Sequence, residues 1–461
     1  MVFSSTVFLF LFLPILLVLY YLPHTNRKWK NMILLLFSIF FYAWGEPVFV
    51  FLMLLSILVN WYLVLRMEKS TDQRKKAWMI AAIVFDLLLL GIFKYASFLA
   101  QNLAHLTGKE NLVIQITLPI GISFFTFQLM SYVFDVYYGS VAAQKNLLYV
   151  ALYISLFPQL IAGPIVRYQQ IEDEILNRTE SLAGFGQGTR RFVYGLAKKV
   201  LLANFLAQIA DNVFDYAVDP SVLYLWLGAV AYTLQIYFDF SGYSDMAIGL
   251  GMMFGFHYEE NFDYPYMAGS VTEYWRRWHI SLSSWFRDYV YIPLGGNRVP
   301  KPRWILNLFI VWLLTGIWHG ANWTFVVWGL IYFVVLLIEK LTGLDRKKRF
   351  LTHLMTLSII TLAFVVFRAA DLDSAYHYLA AMFGIRASGF MGQDFISTIS
   401  GVYVILALAL IGATPLLTIF FVSLGKKGFG WTEYIWLSVV FILSVLEVTS
   451  STYNPFIYFN F

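Results

Sequence analysis

The sequence predicts an all-α membrane protein with many spanning helices. Of its 461 residues, 60% are hydrophobic and 13% are charged, whereas soluble domains average about 25% charged residues. The hydrophobic residues form long continuous runs, and about 20 such residues cross a bilayer as a helix. Trp29, Trp61 and Trp78 stand at the ends of runs, as in the aromatic belts at membrane surfaces. We expect roughly 11–13 transmembrane helices, with re-entrant or interfacial helices, in a single domain over residues 1–461.

The apolar runs give candidate spans in chain order. The run at 304–318 is too short to cross a bilayer alone, so we expect it to be tilted, broken or re-entrant. Basic residues at 24–30, 66–76 and 346–349 mark loops on the cytoplasmic side, which places the N-terminus outside. The candidate spans lie near residues 2–22, 31–45, 48–65, 77–100, 113–136, 147–165, 192–213, 222–250, 304–318, 322–340, 351–368, 401–423 and 432–449.

Composition also excludes several kinds of site. The chain has no cysteine, which excludes disulfides, thiolate metal sites and a cysteine nucleophile. No His-x3-His or Glu-x-x-His pair is present, so we expect no metal site. The net charge of +5 resides in short loops between spans, and it therefore does not indicate nucleic-acid binding.

Two longer polar stretches separate the apolar runs. Residues 167–191 contain Gly184, Gly186 and Gly188, but no strand precedes them and no Gly-Lys-Ser/Thr follows, so we expect an ordinary flexible loop rather than a phosphate-binding loop. Residues 259–303 interleave aromatic residues with cations, which is typical of an amphipathic segment lying on the membrane surface.

His319 is the first candidate catalytic residue. It lies between strongly apolar runs and follows Trp318, and an ionisable group at membrane depth is a functional hypothesis by default. A neutral imidazole there accepts a proton from a hydroxyl group. The alternative is a histidine that hydrogen-bonds a carbonyl between helices. Asn322, three residues later, is either its polar partner or the cap of the next helix.

His279 is the second candidate catalytic residue, and Trp278 precedes it. Nearby cations, among them Arg287, suit a phosphorylated or carboxylate-bearing acyl donor. Lipid headgroups are an equally good match for these cations.

A polar cluster interrupts the apolar run at 222–250. Asp239, Ser241 and Asp245 fall within it, and carboxylates at that depth need hydroxyl or cationic partners. The cluster either lines a hydrophilic passage or forms a satisfied polar network.

These residues and several further motifs resemble the bacterial branch of the membrane-bound O-acyltransferase family. The resemblance covers most of the chain, and the individual motifs are long. They are Phe-Tyr-Ala-Trp-Gly-Glu-Pro at 41–47, Pro-Ile-Gly-Ile-Ser-Phe-Phe-Thr-Phe-Gln at 119–128, Phe-Pro-Gln-Leu-Ile-Ala-Gly-Pro-Ile at 157–165, Tyr-Phe-Asp-Phe-Ser-Gly-Tyr-Ser-Asp-Met-Ala-Ile-Gly at 237–249, Trp-Arg-Arg-Trp-His-Ile-Ser-Leu at 275–282, Thr-Gly-Ile-Trp-His-Gly-Ala at 315–321 and Tyr-Asn-Pro-Phe-Ile-Tyr-Phe-Asn-Phe at 453–461.

The resemblance implies a ring of helices around a central tunnel, with His319 as the catalytic base and His279 helping to position the donor. It also implies O-acetylation of an exported polysaccharide at the bacterial inner membrane, with acetyl-coenzyme A as donor substrate and no bound cofactor. Backbone N–H groups near Gly320, or the Asn322 amide, are expected to stabilise the oxyanion. An extracytoplasmic esterase-like partner of the Ser-Asp-His type is expected to complete the transfer.

Three other functions stay open at this point. The nearest is D-alanyl transfer to teichoic acid, which uses a carrier-protein thioester and would be marked by neighbouring genes for a carrier and an adenylating enzyme. A transporter fits scattered intramembrane carboxylates, but no paired inverted halves support it. A structural scaffold for polysaccharide secretion is the third, and an acyl-transfer assay separates it from an enzyme.

Overall fold

The described part of the chain consists of helices joined by turns and irregular loops. The computed structural model describes residues 1–22, 26–109, 115–161, 163–215, 220–346, 350–451 and 453–457, and these ranges contain no strand. The prediction of an all-α membrane protein is confirmed. His24, residues 347–349 and residues 458–461, which belong to two predicted basic loops and to the last motif, lie outside the described residues.

The described residues up to Ala197 form ten α-helices. They are α1 (Leu13–Tyr20), α2 (Arg27–Gly45), α3 (Phe49–Glu68), α4 (Asp72–Leu90), α5 (Ala96–Thr107), α6 (Ile122–Tyr138), α7 (Leu147–Ser155), α8 (Phe157–Leu160), α9 (Tyr168–Asn177) and α10 (Leu182–Ala197).

The described residues after Ala197 form eleven more. They are α11 (Asn204–Phe214), α12 (Val222–Met253), α13 (Val271–Arg277), α14 (Ile280–Phe286), α15 (Lys301–His319), α16 (Trp323–Thr342), α17 (Phe350–Arg368), α18 (Leu372–Met382), α19 (Gln393–Gly412), α20 (Leu416–Lys426) and α21 (Trp431–Ser450).

Among the described residues, eight helices are long and apolar enough to cross a membrane, and two shorter apolar helices, Phe8–Tyr20 and Leu416–Lys426, accompany them. The predicted 11–13 crossings, the ring and its tunnel, and the side of the N-terminus stay predictions. The eight are Phe49–Glu68, Asp72–Thr107, Leu182–Phe214, Val222–Met253, Trp323–Thr342, Phe350–Arg368, Gln393–Gly412 and Trp431–Ser450.

The chain divides into two compact units. The first comprises Met1–Phe192 and Met246–Glu259, and the second comprises Val193–Asp245 and Glu260–Phe461. In the first unit, the rings of Phe12, Phe41 and Phe157 pack with centroids 5.4 to 5.6 Å apart. The core of the second unit is built from aromatic and aliphatic residues that include members of α12, α13, α15, α16 and α17. Both candidate histidines belong to this unit.

Prolines and glycines set several helix ends that differ from the predicted spans. The predicted span 401–423 is two helices, because Pro415 cannot donate a backbone hydrogen bond inside a helix. The span 147–165 is likewise divided, and Pro158 stands in the first turn of α8. Within the span 113–136, residues 115–121 are not helical, and the helix begins at Ile122, after Gly121 with φ +78°.

The interpretation of residues 167–191 as a flexible loop is wrong. This stretch forms α9 and the start of α10, and the buried face of α9 consists of Tyr168, Ile171 and Ile175 at helical spacing. Gly188 lies inside α10, where a Cβ would stand 2.5 Å from the carbonyl oxygen of Gly249. The glycine therefore allows close helix packing within the first unit.

The expectation of a surface-lying segment at 259–303 is also wrong for its central part. Tyr274, Trp275 and Trp278 of α13 and the turn after it are buried. The start of α13 is fixed by Glu339 of α16, whose carboxylate accepts hydrogen bonds from Val271 N at 2.7 Å and Thr272 N at 2.8 Å. The aromatic rings thus belong to the core of the second unit.

The short run at 304–318 is part of an unbroken helix, α15, which packs closely against α16. A Cβ on Gly316 would stand 2.5 Å from the carbonyl oxygen of Phe325, and one on Gly329 would stand 2.5 Å from that of Trp312. Small residues at such positions let two helix backbones approach each other.

We expect Gly329→Ala to destabilise the chain by about 1–3 kcal/mol, because the added methyl group must push α16 away from α15. Thermal unfolding of the purified full-length protein in detergent measures this effect. Gly425→Ala is the matched control, since a Cβ there meets nothing within 4 Å. Equal stability of the two variants would contradict the close packing of α15 on α16.

Candidate active site

His319 is the last residue of α15 and is 6% exposed. Its ring lies among aromatic side chains of the second unit. The ring centroids are 5.0 Å away for Trp318, 4.8 Å for Trp328 and 5.4 Å for Phe367. A neutral imidazole at this position accepts a proton from a hydroxyl group.

Asn322 fixes the backbone that follows His319. Its side chain caps α16 by accepting a hydrogen bond from Thr324 N at 3.2 Å, and its amide donates to the carbonyl oxygen of Ala370 at 2.7 Å. The capping alternative is therefore confirmed. Because the amide is already bonded to the backbone after α17, Asn322 is a weaker candidate for the oxyanion than the sequence suggested.

His279 is 1% exposed and immediately precedes α14. Its backbone is left-handed, with φ 45° and ψ 53°, a conformation that costs most L-residues free energy. Burial lowers the pKa of His279 to about 3, so the imidazole is neutral at physiological pH. Such strain in a buried residue is found where the surrounding structure imposes it, often at functional sites.

Trp318 connects the two histidines. Its ring centroid lies 6.1 Å from that of His279 and 5.0 Å from that of His319. Trp278 stacks on Tyr274 at 5.5 Å, in the same aromatic core. The structure thus brings four predicted residues, His279, His319, Trp278 and Trp318, into one region of the second unit.

The predicted carboxylates belong to a second cluster. Asp239 and Lys199 form a buried ion pair at 2.6 Å, and Asp239 also accepts a hydrogen bond from Ile457 N at 3.0 Å. Asp245 pairs with Lys198 at 2.6 Å. Ser241, which lies between the two aspartates in the sequence, is also buried. The expected cationic partners are therefore Lys198 and Lys199, which the sequence analysis did not single out.

Arg287 is not placed in either cluster. Its guanidinium pairs with the neighbouring Asp288 at 2.6 Å, and its side chain is 62% exposed. A salt bridge this exposed contributes little to stability. The exposure of the Arg287 side chain favours the lipid alternative for this cation.

Three aromatic residues near His319 were not named as site candidates by the sequence analysis, although Trp275 opens the motif at 275–282. Trp275 of α13 and Trp328 and Tyr332 of α16 form one aromatic group, with ring centroids 5.0 to 5.7 Å apart. The spacing of Trp328 and Tyr332, four residues apart, is a signal that both lie on one face of a helix. Nothing in the sequence indicated which helix that face would meet.

Comparison with known proteins assigns these residues to a recognised domain. A model of the membrane-bound O-acyltransferase family matches residues 140–370, which include both histidines and Asp239. A probable alginate O-acetylase of Pseudomonas putida is 42% identical to this chain, with 100% of each chain covered.

More distant relatives carry other names. A peptidoglycan O-acetyltransferase of Helicobacter pylori is 34% identical, over 84% of this chain and 80% of the relative. A teichoic acid D-alanyltransferase of Bacillus subtilis is 25% identical, over 61% of this chain and 71% of the relative. The similarity thus decreases from relatives named for O-acetylation to one named for D-alanylation.

Proposed function

Because this chain belongs to the membrane-bound O-acyltransferase family, we propose that His319 catalyses the transfer of an acetyl group from acetyl-coenzyme A toward an exported polysaccharide. The chain is a multi-pass membrane O-acetyltransferase acting on a polysaccharide, in agreement with relatives named as a probable alginate O-acetylase and a peptidoglycan O-acetyltransferase. The donor, the catalytic residue, the cellular membrane and the partner are the proposed parts.

One observation supports the role of His319 above the others. It is a buried histidine at the end of α15 whose ring contacts Trp318 and Trp328, and Trp318 also contacts the second histidine. In the proposed reaction, its unprotonated ring nitrogen takes the proton of an acceptor hydroxyl as the hydroxyl oxygen attacks the thioester carbonyl. His319 then returns this proton to the leaving thiolate.

His279 is proposed to act as a positioning residue. It is buried and neutral, and its ring contacts the ring of Trp318. A neutral, rigidly held side chain supports the orientation of Trp318 and hence of the His319 ring. This is the kind of supporting contact on which precise placement of reacting groups depends.

We propose alginate as one polysaccharide to test, because the relative that matches over its full length carries that name. The proposed location is the bacterial inner membrane, and an extracytoplasmic esterase-like partner is proposed to complete the transfer. The D-alanyl alternative has less support, since the relatives of that name are less similar and cover less of the chain.

The function is tested by deleting the gene and restoring it on a plasmid. We expect ester-linked acetate on the exported polysaccharide to be lost and then restored. Inside-out membrane vesicles containing the full-length chain, offered acetyl-coenzyme A or a D-alanyl carrier protein, identify the donor. Unchanged acetate in the deletion strain would refute O-acetylation, and esterified D-alanine from the carrier protein would favour the alternative.

A further inference from the structure

The second unit contains buried hydrogen-bond donors beside His319 that the mechanism above does not use. Trp275 Nε1, Trp328 Nε1 and Tyr332 OH are shielded from solvent, and no residue in the described ranges is hydrogen-bonded to them. The three side chains are 8%, 1% and 0% exposed. We refer to these three residues as the donor cluster.

The residues of the donor cluster contact one another, and one of them contacts His319. The ring centroid of Trp328 lies 5.7 Å from that of Trp275 and 5.1 Å from that of Tyr332. Trp328 also lies 4.8 Å from the His319 ring, with the two planes at 84°. Of the three residues, Trp328 is therefore the one nearest to the position of a reacting carbonyl.

The chemistry of these groups limits what they can bind. A buried donor without an acceptor is unfavourable, so its presence in a folded protein signals water or a polar ligand. An indole N–H only donates, and the ligand must therefore present acceptor oxygens. The cluster carries no charge and has aromatic walls, which suits neutral carbonyl groups better than a phosphate or a carboxylate.

We propose that the donor cluster binds the acyl donor through its carbonyl oxygens, with Trp328 Nε1 donating to the thioester oxygen during transfer. The proposal rests on the proposed function, since it assigns the oxyanion donor of that reaction. Trp275 and Tyr332 bind a second acceptor oxygen of the acyl donor. This oxygen lies about 6 Å along α16 from the thioester oxygen, because Tyr332 follows Trp328 by four residues and four helical residues rise by that distance.

The bonds change in the following order. The acceptor hydroxyl oxygen bonds to the thioester carbonyl carbon, its proton passes to His319, and negative charge collects on the carbonyl oxygen. Trp328 stabilises this charge because its N–H is held in place in a site of low polarity. The carbon–sulfur bond then breaks, the carbonyl re-forms as an ester, and the proton passes from His319 to the thiolate.

The test is Trp328→Phe in the full-length chain, because this change removes the N–H and keeps an aromatic ring. Transfer of acetyl from acetyl-coenzyme A to the exported polysaccharide is measured in membrane vesicles. We expect kcat to fall by about 10²- to 10³-fold, as when one oxyanion donor is removed from other enzymes. Trp312→Phe is the control, since Trp312 contacts Trp275 at 4.7 Å but is not in the donor cluster. It should keep the parental rate.

Two unreactive analogues provide a second measurement. S-acetonyl-coenzyme A keeps a carbonyl oxygen, whereas S-ethyl-coenzyme A lacks it. Trp328→Phe should weaken inhibition by the first analogue and leave inhibition by the second unchanged. Tyr332→Phe, which removes a single oxygen atom, is the variant to use if Trp328→Phe does not accumulate, and it should weaken the binding of both analogues.

Three other results would each overturn one of these claims. An active parent with equal kcat in Trp328→Phe and Trp312→Phe overturns the role of Trp328. Unchanged affinity of Tyr332→Phe for both analogues overturns the donor cluster as a binding site. A parent that transfers no acetyl from acetyl-coenzyme A refutes the proposed function itself.

Discussion

Replacing His319 with Ala should reduce polysaccharide acetylation by about 100- to 10,000-fold, which is the range for loss of a general acid or base. The second histidine of the site, His279, is buried and contacts the ring of Trp318, which also contacts His319. Ester-linked acetate per sugar, normalised to the amount of protein in the membrane, measures the effect.

The control for this variant is His377→Ala. His377 is half-exposed on α18, where it pairs with Asp373 at 3.3 Å, and its loss should leave acetylation unchanged. His319→Gln is the second variant, because Gln fills more of the space between Trp328 and Phe367 but is not a base. Acetylation at the parental level in either His319 variant would refute the assignment and favour a transporter or a scaffold.

Removing the carboxylate of Asp239 should destabilise the chain by about 3–5 kcal/mol, because Asp239→Ala leaves the Lys199 charge buried without its counter-ion. The side chains of Lys199 and Asp239 are 4% and 1% exposed. The Lys199 ammonium also donates to the carbonyl oxygen of Pro455. Thermal unfolding in detergent and protease cleavage near the C-terminus should both report the change.

The neighbouring pair supplies a matched control. The side chains of Lys198 and Asp245 are 27% and 15% exposed, so Asp245→Ala should cost less than Asp239→Ala. The double variant Lys199→Met with Asp239→Leu should recover much of the lost stability, since both buried charges are then absent. An Asp239→Ala variant as stable as Asp245→Ala would show that the buried pair of Lys199 and Asp239 does not stabilise the fold.

The features of the fold that could be predicted from sequence are those that depend on the residues of one helix and not on its packing against others. Long apolar runs such as Phe350–Arg368 follow from composition alone, and the predicted spans 322–340, 351–368 and 432–449 each fall on a single helix of the structure. The break at Pro415 was visible in the sequence but was outweighed by the hydrophobicity around it. Helix α9 was missed because its charged face hides the spacing of Ile171 and Ile175.

The candidate site likewise contains residues that could be predicted from the sequence and residues that could not. His319 stands out in the sequence because an ionisable residue interrupts an apolar run. Trp275 and Trp328 do not, since tryptophan is common in this chain and contact between α13 and α16 depends on tertiary packing. Lys199 was missed for a similar reason, because its partnership with Asp239 joins residues forty positions apart on two helices.

The left-handed backbone of His279 has a consequence for how this position tolerates mutation. Asn, Asp and Gly adopt φ 45° more easily than other residues, so they preserve the start of α14 while removing the imidazole. Leu or Val removes the ring and strains the backbone as well. A library of all substitutions at this position should therefore sort into two groups, one that loses only acetylation and one that also loses abundance in the membrane.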